Sequence, residues 1–300
     1  MHVANTNAIG NHRHQYGSVS LKRLIFALLL SRHGVVQPET SRYPEPLYAE
    51  RSLSGRGKDV SEQLRVMVTG ATGKIGQTLM EDLSDTYILT GTSRTPQADP
   101  RFRVLAFDDI AALTDAFRGQ DAIVHMHAKS NHDTDVLEPY LQPNVVGVYH
   151  AFEAARRAGV PRFVFASSNH ATGMYEGDHP YSAIVAGRYE GLDPATIPYV
   201  DTGMPIRPDG PYGIAKAFGE AAGRHYSDRH GMSVICLRIG TLNRDSRPLI
   251  PRHFATLLSH RDLTHLVERC IEAPDDLRFR IFYGVSNNRW RFWNIASEKT

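Results

Sequence analysis

The sequence has few cysteines, almost no net charge and no long hydrophobic run. Its two cysteines, Cys236 and Cys270, exclude a disulfide framework and are expected to be buried reduced thiols. Thirty-four Lys+Arg residues balance 32 Asp+Glu residues, without a basic stripe, which argues against a nucleic-acid partner. The longest apolar run, LIFALLL at 24–30, is far shorter than the roughly 20 residues of a membrane span. These absences predict a cytoplasmic protein with no membrane or nucleic-acid partner.

The first 63 residues lack sustained periodicity and are rich in His, Arg, Ser and Pro. We therefore predict a poorly ordered N-terminal extension over residues 1–63. Lys22 and Arg23 precede the apolar run, as in a signal peptide, but the stretch before them is too long and no small-residue cleavage site follows. The extension is not expected to direct secretion.

From residue 64 onward, apolar runs alternate with helical patterns. The runs LRVMVTG, YILTGTS, RVLAFDD, DAIVHMHA, PRFVFASS and SVICLRIG predict strands. The alternation predicts an α/β fold, a Rossmann-type doubly wound parallel sheet over residues 64–246. A Pro- and Tyr-rich irregular stretch, 174–207, is predicted to be a substrate loop, because long loops in compact domains usually bind ligands or act as lids. Residues 247–300 are predicted to be a small substrate-binding segment.

The string TGATGKIG, at Thr69–Gly76, follows the first strand and opens a helix. Gly70 permits a tight turn, Gly73 lets the backbone approach a pyrophosphate, and Gly76 allows close helix–strand contact. The helix N-terminus then faces the phosphates. This context predicts a dinucleotide-binding loop, although a plain structural turn is the alternative. The remaining cofactor-binding candidates in the loop are Thr72, Lys74 and Ile75.

The stretch DGPYGIAKAFGE, at 209–220, places Tyr212 four residues before Lys216. Four residues are about one helical turn, so both side chains project from the same face. A free tyrosine has a pKa near ~10 and is a poor base at neutral pH. A lysine cation one turn away favours the phenolate and lowers that pKa. The spacing alone also fits two ordinary surface side chains.

The G-x-x-G-x-x-G spacing, the FASS string and the Y-x-x-x-K pair together resemble the extended members of the short-chain dehydrogenase/reductase superfamily. The resemblance covers roughly residues 65–290. It implies that Ser168, Tyr212 and Lys216 are catalytic, and that Lys216 also reaches the nicotinamide ribose. It implies further that Asp108, at the end of the third strand, contacts the adenine. The segment VHMHA, with His127, would line the nicotinamide side.

The strings FASSNHATGMYE, RPDGPYGIAKAFGE, LRIG and LLSHRD most resemble uronate dehydrogenases and archaeal-type glucose-6-phosphate dehydrogenases. This resemblance implies oxidation of the C1 hydroxyl of a hexuronate or hexose 6-phosphate to a lactone, with NAD or NADP. The implied substrate residues are Ser130, Asn169, His170 and Arg252. A turn serine, chain-capping residues and a surface arginine are the ordinary alternatives for them.

The end of the second strand lacks the acidic residue with which NAD users bind the ribose 2′-OH. Thr92, Ser93 and Arg94 stand in that region, and Arg94 could pair with a 2′-phosphate. The sequence therefore favours NADP over NAD.

Other readings of the chain stay open. A nucleotide-sugar epimerase or dehydratase would share the glycine loop and the Y-x-x-x-K pair, and a non-catalytic NAD(P)-binding sensor would share the loop. A hydrolase lacks its G-x-S-x-G elbow here. His125, His127 and His132 lack a carboxylate or cysteine partner, so no metal is expected.

Relatives commonly pair through helices of this domain, which implies a homodimer or higher homo-oligomer. They also continue beyond the FYGVSNN strand, so the C-terminal segment is expected to be shortened.

Overall fold

A seven-stranded parallel sheet forms the centre of the molecule. The computed structural model describes residues 63–130 and 134–296, so residues 1–62 of the expected extension lie outside the described residues. The strand order is β3-β2-β1-β4-β5-β6-β7, which confirms the predicted Rossmann-type α/β fold. The strands are β1 Arg65–Thr69, β2 Ile88–Ser93, β3 Phe102–Val104, β4 Ala122–His125, β5 Arg162–Ser168, β6 Ser233–Ile239 and β7 Phe279–Gly284.

Helices connect most successive strands and cover both faces of the sheet, whereas a loop joins β2 to β3. They are α1 Lys74–Asp82, α2 Ile110–Phe117, α3 Glu138–Tyr140, α4 Gly147–Ala158, α5 Tyr181–Val185, α6 Pro211–His230, α7 His253–Thr256 and α8 His260–Ile271. A π-helical segment, Leu141–Val146, joins α3 to α4, and a 3₁₀ segment, Asn169–Gly177, follows β5. No described helix is long and apolar enough to cross a membrane.

The helix ends follow local sequence chemistry. Asp109 accepts hydrogen bonds from the first backbone N–H groups of α2, and Ser259 accepts one at the start of α8. Helices α4 and α6 end at Gly159 and Gly231, both with positive φ. Glycine adopts that left-handed conformation without steric penalty, which stops each helix before the next strand.

Side chains of the strands alternate between two hydrophobic layers. Val66 and Val68 of β1 face a layer that includes residues of α1 and α8, whereas Met67 faces a layer with residues of α2, α4 and α6. Parallel strands covered on both faces are expected to be apolar throughout, as β5 and β6 are.

The stretch 174–207 is packed rather than structureless. Its Tyr181 and Val200 belong to a third apolar cluster with Trp293 of the C-terminal segment. Val200 donates a backbone hydrogen bond to Phe292 and accepts one from Asn294, at 2.7 and 3.0 Å. The loop and the C-terminal segment therefore form one packed layer.

Two sequence boundaries differ from the structure. Strand β7 pairs with β6 throughout its length, so the sheet continues past residue 246. Strand β3 ends at Val104, and Asp108 lies in the loop before α2 rather than at a strand end. The reason is local: β3 is a half-exposed edge strand with a single neighbour, so few hydrogen bonds extend it.

Candidate active site

The predicted site residues gather at the carboxyl edge of the sheet. The strand order reverses between β1 and β4, because β2 and β3 lie on one side and β5 to β7 on the other. In open parallel sheets, ligands bind outside the carboxyl ends of the strands at such a switch point. The glycine loop follows β1 at this point, and Ser168 ends β5 two strands away.

The glycine loop is shaped by contacts that only glycine tolerates. Gly70 has φ 65°, and a Cβ there would lie 2.8 Å from the backbone of His127. A Cβ on Gly76 would lie 2.4 Å from the carbonyl oxygen of Gly70. Gly73 is the N-cap of α1 and makes no side-chain cap hydrogen bond. Around the first turn of that helix, Thr72 and Lys74 are exposed, which leaves room for a dinucleotide pyrophosphate.

Two strand ends, those of β1 and β4, meet beside this loop. Thr69 Oγ1 lies 3.0 Å from His125 Nδ1 and accepts a hydrogen bond from the backbone N–H of His127 at 3.3 Å. The His127 ring stacks on Phe107, with 4.3 Å between ring centres. Burial, together with the nearby Arg94 and Lys216 cations, lowers the pKa of His127 to about 4. The imidazole is therefore neutral at physiological pH.

Arg94 and Asp108 lie on the nucleotide side of the crevice. Arg94 is exposed directly after β2, and its charge acts on His127. Asp108 is exposed in the loop that begins at the buried Phe107. Both side chains face solvent beside the end of the sheet where the sequence placed the adenosine half.

Ser168, Tyr212 and Lys216 are brought together as expected. Ser168 is a buried residue at the end of β5, and its hydroxyl makes a hydrogen bond with the Tyr212 phenol. Lys216 Nζ lies 5.5 Å from the centre of the Tyr212 ring and donates to the carbonyl of Ala166 at 2.7 Å. The hydroxyl, the phenol and the amine thus converge across β5 and the first turns of α6.

The protonation of this trio differs from the sequence expectation. Burial raises the pKa of Tyr212 above its usual value, and the hydrogen bond with Ser168 lowers it by less. Burial also lowers the pKa of Lys216 to about 7. Removal from water favours the neutral form of both groups. In the chain without cofactor or substrate, burial therefore outweighs the lowering of the Tyr212 pKa that was expected from the Lys216 cation.

Asn169 and Arg252 converge on a residue that sequence reasoning missed, Glu176. The Arg252 guanidinium donates to both carboxylate oxygens of Glu176, at 2.6 and 2.7 Å. The Asn169 amide donates to the same carboxylate at 3.1 Å, and Arg252 also donates to Thr241 Oγ1 at 3.2 Å. No spacing rule connects residues 169, 176 and 252, so only the folded chain reveals this charge-neutral cluster.

A second missed network lies beneath the trio. Glu220, one turn after Lys216, accepts two hydrogen bonds from Arg238, both at 2.9 Å, and one from Ser167 at 2.6 Å. Arg238 also donates to Tyr283 Oη at 3.2 Å. All four side chains are buried, and they tie α6 to β5, β6 and β7. The i+4 spacing of Glu220 from Lys216 was the one signal available in the sequence.

The remaining predicted residues lie at the rim. His170 Nδ1 is 2.6 Å from Asp209 Oδ2. Ser130 is exposed and follows Lys129. The backbone N–H of Lys129 donates to Asn144 Oδ1 at 2.8 Å, and Asn144 Nδ2 donates to the Lys129 carbonyl at 2.8 Å. Within residues 63–130 and 134–296, no group of three His, Cys, Asp or Glu side chains could hold a metal ion. His132 lies outside the described residues.

The sheet order, the glycine loop and the trio define a Rossmann-type dinucleotide-binding enzyme of the extended short-chain class. Residues 66–269 match the model of the NAD dependent epimerase/dehydratase family. The chain belongs to that family, which confirms the expectations of an oxidoreductase and of NAD binding.

Individual relatives agree with this assignment. A uronate dehydrogenase of Pseudomonas putida is 35% identical over 236 residues, 77% of this chain and 79% of that protein. An NAD-dependent glucose-6-phosphate dehydrogenase of Haloferax volcanii is 34% identical over 241 residues, 77% of this chain and 88% of that protein. The crystal structure of uronate dehydrogenase from Agrobacterium tumefaciens is similar with a TM-score of 0.64 and 32% identity, covering 77% of this chain and 80% of that one.

Proposed function

We propose that this chain oxidises the C1 hydroxyl of a sugar, a hexuronate or a hexose 6-phosphate, to a lactone with NAD(P). The observation that carries the proposal is the convergence of Ser168, Tyr212 and Lys216 beside the glycine loop. Relatives named as uronate and glucose-6-phosphate dehydrogenases support the sugar class.

The loop fits a dinucleotide, because it opens helix α1 at Gly73 without a side-chain cap hydrogen bond, and the first N–H groups of a helix bind phosphate oxygens. The groups that would hold the cofactor are Gly70, Thr72, Gly73, Lys74, Ile75, Gly76, Arg94, Asp108, His127, Tyr212 and Lys216. When bound, NAD(P) accepts the hydride that leaves C1.

The chain itself handles the proton. Ser168 would hold the C1 hydroxyl by a hydrogen bond while Tyr212 removes its proton. The C–H bond of C1 then breaks heterolytically and the C–O bond becomes the carbonyl of the lactone. Since burial raises the pKa of Tyr212 in the chain alone, positive charge is needed beside the phenol to favour its ionised form. The protonated form of Lys216 has that charge, and so has the nicotinamide ring of an oxidised cofactor.

Arg94 is proposed to select NADP by pairing with its 2′-phosphate. The residue is exposed at the end of β2, and no acid occupies the adjoining Thr92 and Ser93 positions. Replacing Arg94 with Ala is expected to weaken NADP binding several-fold and to leave NAD binding unchanged, since an exposed charge pair contributes about 1 kcal/mol or less. Fluorescence titration with each cofactor measures this, and equal effects on both would contradict the selection.

The sugar is proposed to lie between the trio and the residues Ser130, Asn169, His170 and Arg252. The anionic end of the sugar would bind Arg252, which it would share with Glu176. The guanidinium has further N–H groups beyond the two that Glu176 accepts, so such sharing is chemically feasible.

A spectrophotometric screen tests the function. It crosses NAD and NADP with galacturonate, glucuronate, glucose, glucose 6-phosphate and arabinose, and we expect net cofactor reduction with an anionic sugar. Interconversion of a nucleotide sugar without net reduction would indicate an epimerase instead. Binding of cofactor without turnover would indicate a sensor.

The role of Tyr212 has its own test. Tyr212→Phe is expected to lower kcat by about 10²- to 10⁴-fold, the usual contribution of a general base, with cofactor affinity retained. Single-turnover kinetics measure the step. An active Tyr212→Phe variant would remove Tyr212 from the role of base.

The expected homodimer is also proposed, through helices α4 and α6. Tyr149 of α4 and Ile214 and Phe218 of α6 are exposed large hydrophobic side chains on packed neighbouring helices. Light scattering of the full chain and of Phe218→Glu tests this, since a charge in an apolar dimer contact should produce monomers.

A further inference from the structure

His170 and Asp209 form an imidazole–carboxylate pair at the rim of the site. His170 Nδ1 lies 2.6 Å from Asp209 Oδ2, and the two side chains are 21% and 28% exposed. The edge of the His170 ring faces Tyr212, with 5.8 Å between ring centres and 72° between planes. The backbone N–H of His170 donates to Ser168 Oγ at 3.2 Å. The pair is therefore anchored directly beside the hydroxyl and the phenol of the trio.

The local backbone is shaped to hold this pair. A Cβ on Gly173 would lie 2.1 Å from Asp209 Oδ2, so only glycine leaves room for the carboxylate. A Cβ on Gly213 would lie 2.2 Å from the carbonyl oxygen of His170. Asp209 N–H donates to that same carbonyl at 3.3 Å. Two glycines and a backbone hydrogen bond thus fix the positions of both partners.

The hydrogen-bonding chemistry of the pair sets the tautomer. An ionised carboxylate can only accept hydrogen bonds, so His170 Nδ1 must be the donor. In the neutral ring, the lone pair is then on Nε2. A nitrogen in that state accepts a hydrogen bond from a hydroxyl and cannot donate one to an ether oxygen such as the ring oxygen of a sugar.

We propose that Asp209 is a positioning residue that holds His170 in the tautomer whose Nε2 accepts a hydrogen bond from the sugar hydroxyl next to the reacting carbon. The inference rests on the proposed function, because it takes C1 as the reacting carbon and hence the 2-hydroxyl as the donor. It adds a determinant of specificity: a sugar that has this hydroxyl is preferred to its 2-deoxy analogue.

Asp209→Asn separates positioning from mere structural support. The asparagine is nearly isosteric and fits beside Gly173. Its amide N–H can donate to Nδ1, which moves the ring proton to Nε2 and removes the acceptor, or its amide oxygen can accept from Nδ1–H, which keeps the wild-type tautomer. Asp209→Ala removes the partner but leaves the ring free to change tautomer. A positioning role therefore predicts that Asn is at least as damaging as Ala when the ring proton has moved to Nε2, whereas a structural bond predicts that Asn is the milder change in either tautomer.

The kinetic experiment uses the full chain and the sugar that it oxidises fastest. We expect Asp209→Asn to lower kcat/KM about 10- to 100-fold, as loss of a group that orients a functional histidine commonly does. Cofactor affinity and the thermal midpoint should stay near the wild-type values. Combining Asp209→Asn with His170→Ala should add no further loss, and the wild-type preference for the 2-hydroxyl sugar over its 2-deoxy analogue should largely disappear in both variants. Losses that multiply, or near-full activity in Asp209→Asn when its His170 proton has moved to Nε2, would overturn the proposal.

Nitrogen NMR of histidine-labelled protein gives a readout that does not depend on activity. His170, identified by its absence in His170→Gln, should show a protonated Nδ1 in the wild type and a protonated Nε2 in Asp209→Asn. His253 is an internal control of opposite tautomer, because its Nδ1 accepts from the backbone N–H of Leu249 at 3.1 Å. If the wild type oxidised no sugar, the proposed function would be wrong, but the NMR spectra would still show which nitrogen of His170 carries the proton. A wild-type His170 whose proton is on Nε2, or an Asp209→Ala variant whose His170 proton stays on Nδ1, would overturn the role of Asp209.

Discussion

The proposed nucleotide half and the proposed sugar half of the crevice are built by different means. Around the glycine loop, shape comes from the backbone: Gly70 and Gly76 approach neighbouring main-chain atoms, and the nearby Thr72, Lys74 and Arg94 are exposed. Around the sugar half, side chains distant in sequence bind one another before any ligand arrives. Glu176 holds Arg252, Asp209 holds His170, and Glu220 holds Arg238.

This difference indicates which substitutions should damage each half. The fold of the glycine loop should be disrupted by any added side-chain atom but not by a change of charge in the exposed residues around it. A network of paired charges is sensitive to the loss of one partner, because the other then remains buried and unpaired. Four substitutions, each with a matched control, test these two expectations.

Arg238→Met should have the largest effect on stability. Arg238 and Glu220 side chains are 1% and 6% exposed, so the variant leaves a buried carboxylate without its cation. We expect a loss of about 3–5 kcal/mol in the free energy of unfolding, measured by urea denaturation. Arg224→Met, which breaks the exposed pair with Asp228 on the same helix, should cost about 0.5 kcal/mol or less. Similar losses for the two variants would contradict a special role for the buried network.

Gly70→Ala should come next, and it acts on the other half. Positive φ alone costs about 1–2 kcal/mol for alanine, and the contact with His127 adds to it. We expect a further loss of at least about tenfold in cofactor affinity, measured by calorimetric titration. Gly119→Ala is the control: Gly119 has φ 73° and open space around its Cβ position. Gly119→Ala should lower the free energy of unfolding only by the cost of positive φ, and its cofactor affinity should stay unchanged.

Lys216 predicts a pH dependence of stability at the boundary of the two halves. Its folded pKa of about 7 lies below the ordinary value near ~10.4, so the unfolded chain holds a proton there that the folded chain has lost. The free energy of unfolding should rise with pH, by about 1 kcal/mol per unit between about pH 7 and 8.5. Lys216→Met should remove this rise and the exposed Lys74→Met should keep it. A wild-type profile identical to that of Lys216→Met would show that Lys216 is not buried as described.

Glu176→Gln should have the smallest effect and sharpens the sugar half. The variant removes the charge that neutralises Arg252, which should lower KM for anionic sugars relative to neutral ones. A gain of about fivefold is expected, about 1 kcal/mol at a partly solvated site. Glu190 is an exposed residue of the same 174–207 stretch, so Glu190→Gln should change neither the KM for anionic sugars nor the KM for neutral sugars. Unchanged discrimination in Glu176→Gln would mean that Arg252 does not bind the anion.

The sequence predicted local features well and long-range partners poorly. The glycine loop, the alternating strands and the i,i+4 pair Tyr212/Lys216 are short-range patterns, and the structure contains the fold elements that they predict. The extent of β3 and the place of β7 depend on neighbours in the sheet, and these were less well predicted. The protonation of Tyr212 was also expected from one neighbour, whereas burial by the whole fold dominates it.

What the sequence determined by itself was the architecture and the backbone cradle. Hydrophobic periodicity and glycine placement act over a few residues, so they can be read along the chain. The tertiary structure alone decided which charges are paired. Residues 176 and 252, and 170 and 209, meet because the strand order brings the segments after the strands to one sheet edge. Residues 220 and 238 meet where helix α6 packs against strand β6. A carboxylate and a cation attract over a few ångströms of space, whatever their separation along the chain, and that distance exists only in the folded protein.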